Sequence, residues 1–460
     1  MCNLQFALAK RKIKLLFFFA IIVLFSSVSL ITTNAAFMFT DTIYPGVAIG
    51  DIPVGGLSIA EAKSKILTAY QHQIVNATIN VSYENKTWPI TPEDIELYIN
   101  ADDLAMQAYH VGRTGNIVNI LKERYLAVNG GYTVPFTKIY NQNKLYALLT
   151  TIAKNIDRNP QNAFLIYNHN SVHITPETWG QEVDISASLA DLANNLNNQI
   201  PVNSPLIVLQ KAPSIVEQDF ADIDNMIAEY TTQFSPNDPK RSENIEIAAK
   251  HLNSTLVHSG EVFSFNQTVG PRLPEFGYKE APVLVDGKLL LDWGGGVCQV
   301  STTLYNASLL ADMEIEERAS HFKPPSYVPL GQDAAVADNM LDFKFKNISP
   351  YNIYITSEVF NNQITVSIFG KNIPSLSEIQ IESTSKVLGY NTLVKQDDSL
   401  ALGKEIIDSP GQKGFAVTTY RVKIKDGQEL SRENLSSDEF KPEDRIIRIG
   451  TRSQPRQATK

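Results

Sequence analysis

The stretch DWGGGVCQVSTTLYNA, Asp292 to Ala307, decides the fold of the central part of this chain. Its three consecutive glycines permit backbone conformations that are closed to other residues, and they allow a substrate to approach the main chain closely. After them, Val300, Leu304 and Ala307 recur at helical spacing. The pattern therefore predicts a helix that begins directly behind the glycine turn, with Cys298 in its first turn.

Cys298 has the position of an activated thiol. Free backbone N–H groups and the positive end of the helix dipole stabilise a thiolate, and the same N–H groups can form an oxyanion hole for acyl transfer. The chain has only one other cysteine, Cys2, which precedes the long apolar run near the amino terminus. No disulfide can therefore form within the part of the chain that follows that run. The alternative is a buried cysteine that only packs.

A cysteine nucleophile needs a base, and histidine is the usual one. His321 stands downstream in a Pro-rich segment that also holds Asp333. We expect His321 to take the thiol proton, and either Asp333 or a backbone carbonyl to fix its tautomer. His251 and His258, seven residues apart on a predicted helix, are competing bases, and their alternative reading is a solvated helix face.

Basic side chains near this motif are candidates for holding a substrate carboxylate. Arg272, Arg318 and Lys323 fit that role, although each is equally compatible with a surface charge. The expected substrate-binding positions are Gly294, Gly295, Gly296, Gln299, Ser301, Arg272 and Arg318. No metal and no organic cofactor is expected, because acyl transfer through a thioester needs neither.

Length and charge limit the possible functions. With 460 residues, of which 43% are hydrophobic, the chain is long enough for about three globular domains. Its formal net charge is −9. Four of the 40 basic residues lie within the first forty positions, so the rest carries 36 basic against 49 acidic residues, a net charge of −13. An acidic body argues against nucleic acid as a partner, because phosphate binding needs a basic face.

The amino terminus predicts an export or anchoring signal. Lys10, Arg11, Lys12 and Lys14 precede the uncharged run Leu15 to Ile31. Basic residues on the leading side place that end in the cytoplasm and the main body outside. We expect an uncleaved single-pass transmembrane helix in the cell membrane, with cleavage near Ala35 and secretion as the alternative.

The rest of the chain divides into modules of different pattern. Strands and helices alternate after the anchor, which predicts α+β domains, and the alternation of TTYRVKI and DRIIRIG predicts a small all-β carboxyl-terminal module. In the amino-terminal domain, a capping box at Ser58 and Glu61 starts a predicted helix, Ser58 to His72, and AFLIYNHNSVHIT predicts a hairpin. The expected boundaries are an anchor at 1–40, an α+β domain at 41–213, a linker helix at 214–240, an α+β block at 241–372, a β module at 373–452 and a tail at 453–460.

Several spaced motifs in the central block together resemble the VanW family of bacterial surface proteins. They are GEVFSFNQTVGPR (260–272), GYKEAP (277–282), GGGVCQVSTTLYNA (294–307), and His321 followed by SYVPLGQDAAV (326–336). The preceding domain resembles the peptidoglycan-binding domain that often accompanies this family. The carboxyl-terminal block resembles the five-glycine module of wall-associated proteins, with glycines at 403, 411, 414, 427 and 450.

The resemblance implies a cysteine L,D-transpeptidase that acts on peptidoglycan stem tetrapeptides and forms 3-3 cross-links. Carried over to this chain, Cys298 is the nucleophile and His321 the motif histidine. Two positions depart from the family pattern: His258 stands where proline is common, and Phe322 follows His321 where serine is usual. The better-known L,D-transpeptidase signature, S/T-H-G-C, is absent.

The main alternative is a non-catalytic protein that binds or scaffolds peptidoglycan, with Cys298 as a packed residue. A link to the glycopeptide-antibiotic response follows only from the family name. In each case the expected partners are peptidoglycan stem peptides and glycan, together with the membrane through the amino-terminal helix.

Overall fold

The computed structural model describes residues 17–22, 40–198, 201–285, 288–373 and 377–452. These described residues form two compact units, one within residues 1–160 and 179–212 and the other within residues 161–178 and 213–460. The helices are α1 (Ile59–Val75), α2 (Ala101–His110), α3 (Ile117–Gly130), α4 (Gln142–Ala153), α5 (Ile185–Asn198), α6 (Pro239–Leu252), α7 (Phe265–Val269) and α8 (Val297–Leu310).

The strands are short in the first unit and longer toward the carboxyl terminus. Those of the first unit are β1 (Val47–Ile49), β2 (Ile52–Pro53), β3 (Ile79–Tyr83), β4 (Lys86–Ile90), β5 (Tyr132–Val134), β8 (Gly180–Val183), β9 (Val202–Pro205) and β10 (Val208–Lys211). Those of the second are β6 (Phe164–Asn168), β7 (Ser171–Thr175), β11 (Asn225–Gln233), β12 (Thr255–Val257), β13 (Val262–Ser264), β14 (Glu280–Val285), β15 (Lys288–Trp293), β16 (Glu314–Glu317), β17 (Lys344–Lys346), β18 (Ile353–Phe360), β19 (Gln363–Gly370), β20 (Glu378–Leu388), β21 (Thr392–Ala401), β22 (Glu405–Gln412), β23 (Gly414–Lys425), β24 (Gln428–Phe440) and β25 (Glu443–Arg452).

The predicted membrane anchor and tail lie mostly outside the described residues. Of the run Leu15 to Ile31, only positions 17–22 are described, and they are helical. Across the described ranges, no helix has both the length and the apolar character needed to cross a membrane.

The first unit is built around two apolar clusters. One joins β1 and β2 to α1 and α2, with Ile66 and Leu104 buried in it, and the other packs α4 and α5 on β3 and β9. The predicted capping box at the start of α1 is confirmed: the Ser58 amide donates to a Glu61 carboxylate oxygen (2.8 Å), and the Glu61 amide donates to Ser58 Oγ (3.3 Å). Helices α2 and α3 were not predicted.

The second unit contains a four-stranded antiparallel sheet in the order β11-β19-β18-β12. The prediction of a linker helix over 214–240 was wrong, because Glu217–Phe220 forms one 3₁₀ turn and Asn225–Gln233 forms strand β11. Its residues pair with Gln363–Gly370, so this segment is part of the sheet. We call residues 213–373 the central domain.

The predicted hairpin at 163–175 is confirmed as β6 and β7, but it belongs to the second unit. Ala163 and Leu165 are buried with Phe220, Tyr354 and Phe369. Residues 161–178 therefore lie outside the amino-terminal unit, although the predicted α+β domain at 41–213 included them.

Helix α8 lies at the centre of the main core, as the spacing behind the glycines predicted. Val300, Leu304 and Ala307 are fully buried, and Tyr305 packs edge-to-face against Phe343. Its polar side chains are also buried, so each needs a hydrogen-bond partner inside the protein. The segments that pack on α8 must therefore supply hydrogen-bond partners for these side chains.

The carboxyl-terminal residues Glu378–Arg452 are all β, as predicted, and we call them the C-terminal β module. Two three-stranded sheets form it, in the orders β20-β23-β24 and β21-β25-β22. The whole chain is therefore a mixed α+β multidomain protein that ends in an all-β module.

Candidate functional site

The start of α8 places Cys298 in its first turn. Gly296 is the N-cap residue, the Val297 amide donates to Gly294 O (3.1 Å), and the Gln299 amide donates to Gly296 O (2.9 Å). The Cys298 amide has no hydrogen-bond partner in the described part of the chain. A free amide beside a partly exposed thiol is the arrangement that stabilises an oxyanion.

The three glycines are needed because the protein itself crowds this turn. A Cβ on Gly294 would meet the Arg272 side chain at 2.8 Å, and one on Gly295 would meet the backbone of Ala281 and Pro282 at 2.8 Å. Gly294 and Gly296 also have φ of +75° and +110°, a region that favours glycine. Close approach of a substrate to this main chain stays a prediction.

One face of α8 holds an extended segment, Gln332 to Val336. Asn306 Nδ2 donates to Gln332 O (2.8 Å), and Thr302 Oγ1 accepts from the Ala334 amide (3.0 Å). Cys298 Sγ lies 3.3 Å from Val336 O and accepts from the Val336 amide (3.5 Å). Positions four apart on the helix therefore match positions two apart on the segment, because one helical turn is nearly as long as two extended residues.

This segment positions both the histidine and its carboxylate. The Ala335 amide donates to Ala319 O (2.8 Å), which aligns the chain before His321 with it. Asp333 Oδ2 accepts from the His321 amide (2.7 Å) and lies 2.6 Å from His321 Nδ1. Since Nδ1 is used by Asp333, Nε2 is left for the hydrogen bond between His321 and the Cys298 thiol. The structure thus brings together Cys298, His321 and Asp333.

The charges of this triad support one another. Burial raises the pKa of Cys298, but the hydrogen bond and charge of His321 outweigh it, with help from the Val336 amide, and the pKa lies below its usual range. Burial lowers the pKa of His321, yet Asp333 and Cys298 raise it to about 10. Burial also raises the pKa of Asp333, and His321 and Arg318 bring it below its usual range. The directions of these three shifts all favour a thiolate–imidazolium pair.

Arg318 holds Asp333 instead of a substrate. Its Nη2 lies 3.0 Å from Asp333 Oδ1, and its Nη1 donates to both carboxylate oxygens of Asp438 in the C-terminal β module, each at 2.7 Å. The Arg318 side chain is only 6% exposed. The expectation that it holds a substrate carboxylate is corrected, because its guanidinium is buried between two carboxylates of the protein.

Gln299 and Ser301 are also used within the protein. Gln299 Nε2 donates to Gln233 O (2.8 Å), and its Oε1 accepts from Arg241 Nη2 (2.8 Å). Ser301 Oγ donates to Ala334 O (2.8 Å). Both side chains are at most 1% exposed, so the expectation that they contact a substrate is corrected.

Arg272 lies close to the thiol but is paired with a protein carboxylate. It forms an ion pair with Asp338, and its Nη2 donates to Asn266 Oδ1 (2.7 Å). Its charge helps to lower the pKa of Cys298. Lys323, the third candidate, pairs with Glu443 of the C-terminal β module at 2.5 Å. A role for Arg272 toward a substrate stays a prediction.

The competing histidines are arranged differently from the expectation. His251 is on α6, where its Nδ1 lies 2.7 Å from Val269 O. His258 follows strand β12, so the two do not share a helix as predicted. Of the three histidines considered as bases, His321 is the one hydrogen-bonded to Cys298.

Tyr327 was missed as a member of this site, although it lies in the quoted motif SYVPLGQDAAV. Burial and the nearby charge of Cys298 raise its pKa, so it is a neutral phenol beside the thiolate. The surrounding pattern of prolines gives no signal that this particular side chain turns inward.

Known families match the chain in three consecutive blocks. The "VanW like protein" model matches residues 240–369, the "Putative peptidoglycan binding domain" model residues 88–203, and the "G5 domain" model residues 379–452. The Bacillus subtilis (strain 168) "Uncharacterized protein YoaR" is 31% identical over 241 residues, which cover 52% of this chain and 78% of that protein. The chain belongs to the VanW family.

A second VanW-family relative is the "Vancomycin B-type resistance protein VanW" of Enterococcus faecalis (strain ATCC 700802 / V583). It is 31% identical over 179 residues, which cover 36% of this chain and 64% of that protein. The peptidoglycan-binding and VanW matches together identify a cell-wall-related protein.

Two solved G5 structures resemble a small part of this VanW-family chain. The IgA1 protease G5 domain has a TM-score of 0.15 at 24% identity and covers 16% of this chain and 88% of its own. The HP0197-G5 crystal structure has a TM-score of 0.13 at 26% identity, and the match covers 16% of this chain and 100% of that one.

Proposed function

We propose that this VanW-family protein is a cysteine L,D-transpeptidase that remodels peptidoglycan. The observation that carries the proposal is the hydrogen-bonded triad of Cys298, His321 and Asp333, with the thiol at the start of a helix. A cysteine that only packs has no need of an imidazolium, a buried carboxylate and a free amide around it. We further propose that an amino-terminal helix anchors the body of the protein on the outer face of the membrane.

The first half-reaction forms a thioester. The Cys298 thiolate attacks the carbonyl carbon between residues three and four of a stem tetrapeptide, and the new oxyanion accepts a hydrogen bond from the Cys298 amide. When the tetrahedral intermediate collapses, the C–N bond breaks and His321 Nε2 gives its proton to the departing D-alanine amine. The products are free D-alanine, an acyl-cysteine and a neutral imidazole.

The second half-reaction transfers the acyl group. An amine from a neighbouring stem peptide attacks the thioester while His321 Nε2 takes the amine proton, and the C–S bond breaks to restore the thiolate. Asp333 holds His321 in one tautomer through both steps. Water in place of the amine gives carboxypeptidase activity. The energy comes from the exchanged peptide bond, which suits an extracytoplasmic reaction.

The experiment is incubation of the purified full chain with disaccharide tetrapeptides, followed by mass spectrometry. The wild type is expected to release D-alanine and to form 3-3 dimers, and Cys298→Ala and His321→Ala are expected to do neither. His258→Ala is the matched control, because it removes an exposed imidazole of the same domain. Release of D-alanine by Cys298→Ala would refute the proposal. If the wild type binds muropeptides but releases no D-alanine, the result would instead support a wall-binding role.

A further inference from the structure

The C-terminal β module contacts the segments that carry the triad. Thr419 Oγ1 on β23 donates to Gly331 O (3.2 Å), directly before the segment that α8 holds. Arg421 Nη1 donates to Met313 O (2.7 Å), directly after α8. Thr419 is fully buried and Arg421 is 5% exposed. The module therefore forms part of the support on which the Asp333 segment rests.

The contact at Asp438, unlike the other two, is connected through Arg318 to a member of the triad. Its carboxylate accepts two hydrogen bonds from Arg318, and the side chains of Asp438, Arg318 and Asp333 are 10%, 6% and 1% exposed. The order Asp438, Arg318, Asp333, His321, Cys298 alternates in charge, and hydrogen bonds join each member to the next. Ion pairs are weakly screened at such burial.

We propose that Asp438 is a positioning residue for the Cys298 centre, so that the catalytic site of the central domain is completed by the C-terminal β module. Asp438 holds Arg318, and Arg318 fixes the Asp333 carboxylate against His321. Without Asp438, the guanidinium is free to turn fully toward Asp333 and to neutralise it. Asp333 then stabilises the imidazolium less, and the thiolate loses part of its counter-charge. The inference rests on the proposed function only in taking Cys298 as the reactive group.

Other charged and aromatic groups also surround Cys298 and Arg318, and a test variant must leave them unchanged. Cys298 faces His321, the charge of Arg272 and the phenol of Tyr327. Arg318 additionally has its guanidinium carbon 5.6 Å from the ring centroid of Tyr305. An Asp438 variant alters none of these side chains, so a change in thiol reactivity reports on Arg318 and Asp333.

The test measures the pH dependence of Cys298 alkylation by iodoacetamide in the full chain. A Cys2→Ser background makes Cys298 the only thiol. Asp438→Asn is expected to raise the midpoint by about one pH unit, which slows alkylation about tenfold at pH values below both midpoints. Arg318→Lys, which keeps the charge but lacks the fork that joins two carboxylates, is expected to shift the midpoint in the same direction.

Glu433→Gln is the matched control. Glu433 lies on β24 like Asp438, and it binds Arg421 instead of Arg318 (2.7 Å). The control is expected to keep the wild-type midpoint. An unchanged midpoint in both Asp438→Asn and Arg318→Lys would overturn the proposal, and so would an equal shift in Glu433→Gln.

Turnover of tetrapeptides separates this inference from the proposed function. Asp438→Asn is expected to lower kcat about tenfold with little change in KM, because Asp438 acts through Arg318 and Asp333. If the alkylation midpoint shifts but the wild type releases no D-alanine, the positioning role stands and the transpeptidase proposal fails. If turnover occurs and the midpoint does not shift, only the positioning role fails.

Discussion

The Cys298 and His321 side chains stabilise each other's charged forms. Because the pKa of Cys298 is lowered and that of His321 is raised to about 10, the ion pair exists between these two values. Below the window the thiolate is protonated, and above it the imidazole loses its proton. The ion pair therefore persists to a lower pH than an ordinary cysteine thiolate and to a higher pH than an ordinary imidazolium.

Removal of the imidazole tests this mutual stabilisation. With Cys2 replaced by serine, iodoacetamide is expected to alkylate wild-type Cys298 with a midpoint below that of an ordinary thiol. His321→Ala is expected to move the midpoint upward by about one to two pH units, because burial then outweighs the remaining help from the Val336 amide and Arg272. His258→Ala serves as the control and keeps the wild-type profile. Identical profiles for wild type and His321→Ala would contradict the ion pair.

The three triad residues were predictable from the sequence, but the contacts that hold them were not. Cys298, His321 and Asp333 carry chemical types that acyl transfer requires, and they lie within one block of motifs. An arginine near a nucleophile has the same sequence pattern whether it binds substrate or protein, so the pattern does not identify the partner of Arg318. Its second partner, Asp438, lies 120 residues away in another module, and no local spacing predicts such a contact.

At the scale of elements, α8 and the segment Gln332 to Val336 act as one unit. The helix start must stay in place because Cys298 Sγ accepts a hydrogen bond from the Val336 amide and lies 3.3 Å from Val336 O. The glycine turn before α8 sets that start. A side chain added to the turn is therefore expected to disturb both stability and the site.

Gly295→Ala is expected to reduce the free energy of unfolding by about 1–3 kcal/mol, since its Cβ would press on rigid backbone atoms. Gly389→Ala is the matched control, because no atom lies within 4 Å of the added methyl group and its φ is not positive. Urea denaturation of both variants measures the difference. Equal stability of the two variants would mean that the turn is not crowded.

Element types were predictable where the pattern was local. The capping box at Ser58 correctly placed α1, and apolar spacing correctly placed α8. The segment around β11 also shows apolar residues at helical spacing, yet it is a strand, because Gln363–Gly370 offers a full edge for pairing. Tertiary pairing overrode the local pattern, and a single sequence does not display that partner.

At the scale of the whole molecule, the second unit is discontinuous in sequence. In sequence, residues 161–178 lie between the two stretches of the first unit, but they belong to the same compact unit as residues 213–460. The hairpin contributes Ala163 and Leu165 to a buried cluster, and its Tyr167 ring packs edge-to-face on Phe369 with centroids 5.3 Å apart. A stable second unit therefore needs a hairpin that lies upstream of its main stretch.

Two designed fragments test this dependence. Fragment 213–452 is expected to melt at a lower temperature than the same fragment preceded by residues 161–178 and a Gly/Ser linker. The free energy of unfolding is expected to differ by about 3 kcal/mol, because the shorter fragment leaves apolar surface exposed. Calorimetry gives the melting temperatures. Leu165→Ser in the linked fragment is the control and is expected to lose most of the gain. Equal melting of the two fragments would show that the hairpin is dispensable.

The contact between Arg318 and Asp438 also has a consequence for the timing of biosynthesis. During translation, Cys298 and His321 emerge well before Asp438, and β11 waits for β19, since 134 residues separate the paired Thr231 and Thr365. A chain truncated before Asp438 is therefore expected to carry a less acidic thiol than the full chain. Full reactivity of Cys298 is therefore expected only after residue 438 has been made and the C-terminal β module has folded.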